Sequence, residues 1–198
     1  MAKSLIILAS KSPRREHILK SIGLKFETIP SNISENLNSN LNAKKLSEYL
    51  SIKKANKISE KYSNKIVIGA DTIVYLDKKI FGKPIDKNEN YEMLKTLSGK
   101  THKVVTGVSI FHKDRGIKKT FSQITKVTVR QIPNDELLYY LDHYPTLDKA
   151  GGYGIQNWFS VWIKKINGCY YNVMGLPLSK FYDHYSQVKK DLEDVKSQ

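Results

Sequence analysis

SLIILASKSPRREHILKSIG, residues 4–23, decides how the chain begins to fold. Residues 4–9 are a short, continuous apolar run that ends at Ser10, the pattern of a buried strand. A helix should follow at once. Ser12 is a good N-cap, Pro13 suits the first helical position, Ile18, Leu19 and Ile22 form an apolar stripe, and Gly23 closes it. The unit is strand, polar turn, helix. Such a turn aims backbone N–H groups and the positive end of a helix dipole at one point, which favours an anion there.

Working outward, residues 26–30 read as a second strand and residues 31–42 as a polar, Asn-rich loop containing Glu35. Residues 43–62 carry Leu46, Leu50 and Ile58 at helical spacing with lysines outside. KIVIGADTIVYLDKKIFGKP, residues 65–84, is an apolar strand that passes through Gly69, Ala70 and Asp71 and returns as a hairpin. Residues 87–97 are helical, with Met93, Leu94 and Leu97 on one side. HKVVTGVSIFH (102–112) and TFSQITKVTVRQI (120–132) are alternating segments joined by KDRG, an antiparallel hairpin. A helix over 134–143, a glycine-rich loop DKAGGYGIQ (148–156), a hairpin over 158–176 turning at Asn167-Gly168, and a helix over 178–195 complete the reading. Strands mixed with helices and several hairpins predict an α/β fold on a mixed sheet.

With 198 residues and 40% apolar residues, one domain can bury a sizeable core. The N-terminal apolar run, Leu5 to Ala9, is too short for a signal sequence or a membrane span, so the expected location is the cytoplasm. A single cysteine, Cys169, forms no internal disulfide and reads as a small buried residue. The net charge of +14 invites a nucleic-acid reading. Yet only four basic residues are arginine (Arg14, Arg15, Arg115, Arg130), and the lysines are scattered in runs no longer than two, as on solvated faces. No basic stripe with interleaved aromatics occurs, so no specific nucleic-acid partner is expected. A positive field still favours anionic substrates.

Two constellations can carry chemistry. Ser10-Lys11-Ser12-Pro13-Arg14-Arg15 holds two of the four arginines at a helix start, where a planar guanidinium can grip phosphate through two hydrogen bonds; a capping turn with surface arginines is the alternative. In GADTIV, Asp71 interrupts an apolar strand, and burying a carboxylate there requires a cation: Mg²⁺, or a lysine such as Lys54 or Lys83. Glu35 can supply a second carboxylate, although its spacing equally suits the surface. Three features carry no such weight. Gly99-Lys100-Thr101 resembles the end of a P-loop, but position 94 is Leu and a strand follows. GGYG lacks dinucleotide-binding spacing, and His102 reads as structural. Trp158 and Trp162 read as core or interface residues.

LASKSPRRE (8–16), IGADTIV (68–74), FGKP (81–84), LSGKTHKVVTGV (97–108), LDKAGGYGIQ (147–156) and NVMGLPL (172–178), in that order, together resemble the Maf family. The resemblance implies one domain over residues 1–198, with a strongly twisted mixed sheet and flanking helices in two lobes around a cleft, like inosine triphosphate pyrophosphatases. It implies a homodimeric hydrolase that releases a nucleoside monophosphate and pyrophosphate from a nucleoside triphosphate, using Mg²⁺ or else Mn²⁺ or Co²⁺. Ser10 and Arg15 would hold phosphates, Glu35 and Asp71 the metal, with Asp71 also accepting a proton from water, while Lys54 and Lys83 neutralise the triphosphate. Arg14, Thr72 and Gln156 match the branch that prefers dTTP and UTP, and Gln156 would face the base. Alternatives are a pyrophosphatase for methylated GTP or other non-standard nucleotides, and a basic nucleic-acid-binding regulator, since the family name is tied to cell-division arrest. Gly152, Asn157 and Asn90-Tyr91 depart from the family pattern, which usually has Ala, Gly and small residues there.

Overall fold

A computed structural model describes residues 5–34 and 41–194. β1 (Ile6–Leu8), α1 (Pro13–Ser21) and β2 (Glu27–Thr28) form the opening unit. α2 (Ala43–Ser59) starts at Asn42, whose side chain accepts the Lys45 N–H. β3 (Ile66–Leu76) turns at Asp77, where φ is positive, into the short β4 (Lys79–Phe81). α3 (Lys87–Leu97), β5 (Thr101–His112), β6 (Ile117–Val129), α4 (Asn134–His143), β7 (Ile163–Asn167), α5 (Tyr170–Met174) and α6 (Leu178–Asp194) follow. The sheet runs β2-β1-β3-β5-β6-β7, with β4 beside β3. β1 pairs parallel with β2 and β3, and the other pairs are antiparallel, so the sheet is mixed, as expected.

The 158–176 hairpin expected from sequence does not form. Residues Trp158–Trp162 make a 3-10 turn capped by the Asn157 side chain, which accepts the Phe159 N–H, and the turn buries Phe159 and Trp162 against Tyr140. β7 pairs with β6 instead of with its own sequel. Beyond Gly168, Thr125 Oγ1 exchanges hydrogen bonds with the backbone of Cys169, and the chain enters α5. A side chain thus takes over the backbone groups that a returning strand would have needed. Cys169 itself is half-buried at the start of α5, not a core residue.

The two faces of the sheet are covered unequally. One face carries the main core, with α1, α3, α4 and α6 and side chains such as Ile68, Val108 and Phe181. The other face carries α2, over two smaller clusters around Val67 and Ile73. α2 lies very close to the strands because the sheet offers glycine beneath it. A Cβ on Gly69 would meet the Ser51 carbonyl oxygen at 2.4 Å, and one on Gly107 would meet Ser47 backbone atoms at 2.4 Å. The matching helix positions, Ser47, Ser51 and Ala55, are small and buried. Gly107 is the cross-strand partner of Asp71, so this close approach brings α2 down beside the buried acid.

Gly107→Ala therefore forces α2 away from the sheet. We expect a loss of about 1–3 kcal/mol, the usual cost of overpacking, measured as a lower urea midpoint; an unchanged midpoint would refute the close-approach account.

Candidate active site

A gap in the sheet creates the cleft. β1 pairs with β3 at residues 66–68, and Ala9 adds one more bond to Ile68, whereas β4 pairs with β3 only at residues 74–76. Between them that edge of β3 carries neither strand, and Asp71 and Thr72 lie there. Side chains from both faces of one strand thereby reach a single cleft of about 550 Å³. Ser10, Arg14, Arg15, Lys54, Asp71, Thr72, Lys83 and Gln156 all line it. Glu35, the second carboxylate expected from sequence, lies outside the described residues.

Asp71 is 5% exposed and Lys54 7%, and Lys54 Nζ donates to Asp71 Oδ1 at 2.6 Å. The lysine provides the cation that a carboxylate inside a strand requires, and α2 is the element that delivers it. Of the two partners left open by the sequence, Lys54 makes this bond while Lys83 approaches from the turn after β4.

At the end of β1, Ser10 Oγ accepts the Ser12 N–H at 3.1 Å and Arg15 Nη1 at 3.1 Å. Both lone pairs being used, its O–H is left to donate into the cleft that Ser10 lines. Ser12 occupies the N-cap with extended backbone but makes no side-chain cap bond, so the cap expected of it does not form, and Ser10 Oγ binds the N–H of Ser12 in the turn before the helix. Arg15 Nε donates to the Gly175 carbonyl at 2.8 Å, and Nη2 to Thr72 Oγ1 at 3.0 Å. The planar fork expected to grip phosphate is turned on the protein itself, with three of its N–H groups bracing protein oxygens. An ammonium on a flexible stem cannot span three such partners.

Two residues not singled out from the sequence shape the opposite wall. Asp148 binds Arg14 through Oδ2 at 2.6 Å and through its carbonyl at 3.3 Å, and Lys149 Nζ donates to Asp148 Oδ1 and to the Pro145 carbonyl. Burial opposes the charge on Asp148, but hydrogen bonds from Lys149 and Arg14 outweigh it and hold the carboxyl below its usual range. The signal was present, since Asp-Lys opens the glycine-rich loop, but only the fold brings it to Arg14. His102 is structural, as expected. It is fully buried, and its Nε2 shares a hydrogen bond of 2.6 Å with the hydroxyl of Tyr153, whose ring lines the cleft.

Two departures from the family pattern prove to be one. A Cβ on Gly152 would fall 1.6 Å from Asn90 Oδ1, and Asn90 Nδ2 donates to the Gly152 carbonyl at 3.3 Å. The buried amide occupies the place that a methyl group would take.

Among the described residues, a cleft at the open edge of a mixed α/β sheet thus gathers lysines and arginines around a buried carboxylate, a setting whose charge favours anions. The chain belongs to the Maf-like protein family, whose model matches residues 5–188. It is 50% identical over 178 residues to the dTTP/UTP pyrophosphatase of Thermosipho africanus, covering 90% of each chain. It is 44% identical to the protein of that name from Carboxydothermus hydrogenoformans, over 89% of this chain and 95% of that one, and 42% identical to that from Bacillus anthracis, over 94% and 97%. Among solved structures, the Staphylococcus aureus Ham1 protein aligns with a TM-score of 0.46 at 17% identity, over 63% of this chain and 71% of that one. A likeness that distant carries no part of the assignment.

Burial pushes the His102 imidazole down to about 4 from its ordinary 6.5. The folded protein keeps it neutral, whereas the unfolded chain protonates it below pH 6.5, so stability falls as pH drops from about 6.5 to 4. At 1.36 kcal/mol per unit the loss amounts to about 3 kcal/mol. Denaturant melts of wild type and His102→Gln at pH 7 and pH 4 should show this acid loss shrinking in the variant; equal losses would remove His102 as its source.

Proposed function

We propose that this chain is a nucleoside triphosphate pyrophosphatase that hydrolyses dTTP and UTP, modified pyrimidine nucleotides included, to the monophosphate and pyrophosphate. The observation that carries the reading is the buried Lys54–Asp71 pair at the floor of a cleft rich in cations. Hydrolysis joins a water oxygen to the α-phosphorus, breaks its bond to the bridging oxygen, and needs a base for the proton and positive groups for the leaving pyrophosphate. Asp71 takes the proton. Lys54 and Lys83 offset the charge of the triphosphate, Ser10 donates its O–H to a phosphate oxygen, and the start of α1 adds backbone N–H groups. Arg15 acts chiefly by fixing Ser10 and Thr72.

The donor set suits a hard divalent cation. Among the described residues no group of three or more His, Cys, Asp or Glu gathers into a cage, and Mg²⁺ characteristically uses one or two carboxylates completed by substrate phosphates. Asp71 and Glu35 would hold it, Mg²⁺ in our reading with Mn²⁺ or Co²⁺ as alternatives, and it would neutralise charge on the phosphates. A homodimer and a cytoplasmic location are part of the same proposal. Among the described residues no helix is long and apolar enough to cross a membrane.

Base preference follows from Gln156, exposed at the rim of the cleft, with Arg14 and Thr72. Uracil and thymine present a 4-oxo group beside an N3–H and cytosine reverses both atoms; the Gln156 amide can turn its Nε2–H or its Oε1 to position 4, so the discrimination falls to a group of fixed polarity at N3. Where the bound base shuts water away from such a group, a mismatch leaves it unpaired at roughly 1–3 kcal/mol.

A panel of triphosphates with pyrophosphate detection tests the proposal. The highest kcat/KM should fall on dTTP and UTP, ahead of dCTP, ATP and GTP; leadership by methylated GTP would favour the purine alternative, and no pyrophosphate from any of them would end the enzyme reading. Asp71→Asn should lower turnover on the order of 10²-fold or more, as removal of a general base does, while the circular dichroism spectrum stays native. Near-native turnover in that variant would displace Asp71 from its role.

A further inference from the structure

The hydroxyl of Thr72 can be assigned a direction from its neighbours alone. Thr106 Oγ1 lies 2.9 Å from the backbone carbonyl oxygen of Asn172. A carbonyl has no proton to give, so the single hydroxyl proton of Thr106 is spent there. Thr106 Oγ1 also lies 3.0 Å from Thr72 Oγ1, and either atom could in principle donate. With the Thr106 proton committed, Thr72 must be the donor. Thr72 Oγ1 further accepts Arg15 Nη2 at 3.0 Å, and arginine only donates. One lone pair remains on Thr72, a half-buried residue on the wall of the cleft.

We propose that Thr106, which is fully buried and not part of the cleft lining, is a positioning residue that sets the base preference by fixing Thr72 as a hydrogen-bond acceptor. An acceptor there receives the imide N3–H of uracil or thymine and meets the bare N3 lone pair of cytosine with repulsion. The relay is rigid where it matters. Thr106 and Asn172 are fully buried, Asn172 Nδ2 is tied to the Val104 carbonyl and to Thr125 Oγ1, and Thr72 and Thr106 are directly opposed in the β3–β5 register. This inference rests on the pyrimidine reading of the cleft and names the device behind it.

Thr106→Val keeps the shape of the side chain and removes its oxygen. Thr72 loses its acceptor and becomes able to turn its own proton toward the base, so CTP gains relative to UTP. The ratio of kcat/KM for UTP over CTP should fall by about tenfold or more in Thr106→Val and return toward wild type in Thr106→Ser, with folding followed by circular dichroism. If the valine variant loses its native spectrum, Thr106→Ala provides the same comparison with less bulk against the sheet. A merely structural role would lower both nucleotides together and leave the ratio unchanged, which overturns the proposal. A wild-type enzyme that hydrolyses CTP as well as UTP overturns the pyrimidine reading itself, and this inference with it; a wild-type preference that survives Thr106→Val overturns this inference alone.

Discussion

A carboxylate in the interior of a β-strand is the constraint around which this molecule is arranged. Asp71 stands in the middle of an eleven-residue strand that is otherwise largely apolar, and uncompensated burial there would cost several kcal/mol. Compensation comes from Lys54, and Lys54 reaches it because α2 packs directly on glycine. Gly69 and Gly107 have no Cβ, Ser47, Ser51 and Ala55 have small ones, and the helix descends until its lysine meets the acid at 2.6 Å. Removing one partner of such a pair strands a buried charge, which is why the sheet and the helix are matched at so many positions.

The same strand also explains why the site is single. Neighbouring residues on a strand face opposite sides of the sheet, so Asp71 and Thr72 would ordinarily serve different surfaces. Here the β3 edge carries neither β1 nor β4 beside them, and the cleft wraps the edge. Asp71 faces α2 and the lysine; Thr72 faces α1 and α5, held by Arg15 of α1 and by Thr106 of β5, which is itself bonded to Asn172 of α5. Around this edge each hydroxyl has a settled polarity, with Ser10 offering a proton and Thr72 a lone pair.

Much of this was legible in the sequence where one local rule sufficed. The β1–α1 unit, α3 and α4 follow from apolar spacing and from Pro13, and the anomaly of an acid in an apolar run pointed to Asp71. What escaped was decided by distant partners. Residues 158–162 have the aromatic and branched content of a strand, but Asn157 and the ring of Tyr140 draw them into a 3-10 turn. Ser12 holds the N-cap position of α1 without making a cap bond, and it is Ser10, tied to Arg15, whose side chain orders the turn before the helix. The pairing of Arg14 with Asp148 spans 134 residues, and no spacing rule could supply it.

The coupling of Asn90 with Gly152 belongs to the same class and bears on how the cleft works. Gly151 N–H donates to the Gly82 carbonyl at 2.9 Å, so the loop that carries Gln156 is bonded to the turn that carries Lys83. Asn90, rising from α3, holds the next carbonyl of that loop and fills the space left by the missing Cβ. The loop that ends in Gln156 and the turn that carries Lys83 are thus joined through one backbone hydrogen bond, and Asn90 of α3 braces that loop. Displacement of this loop by a base that fits badly would be transmitted to Lys83. In the proposed function, selection among nucleotides and charge stabilisation of the phosphates would be linked through this one bond, with Asn90 supporting the loop from behind.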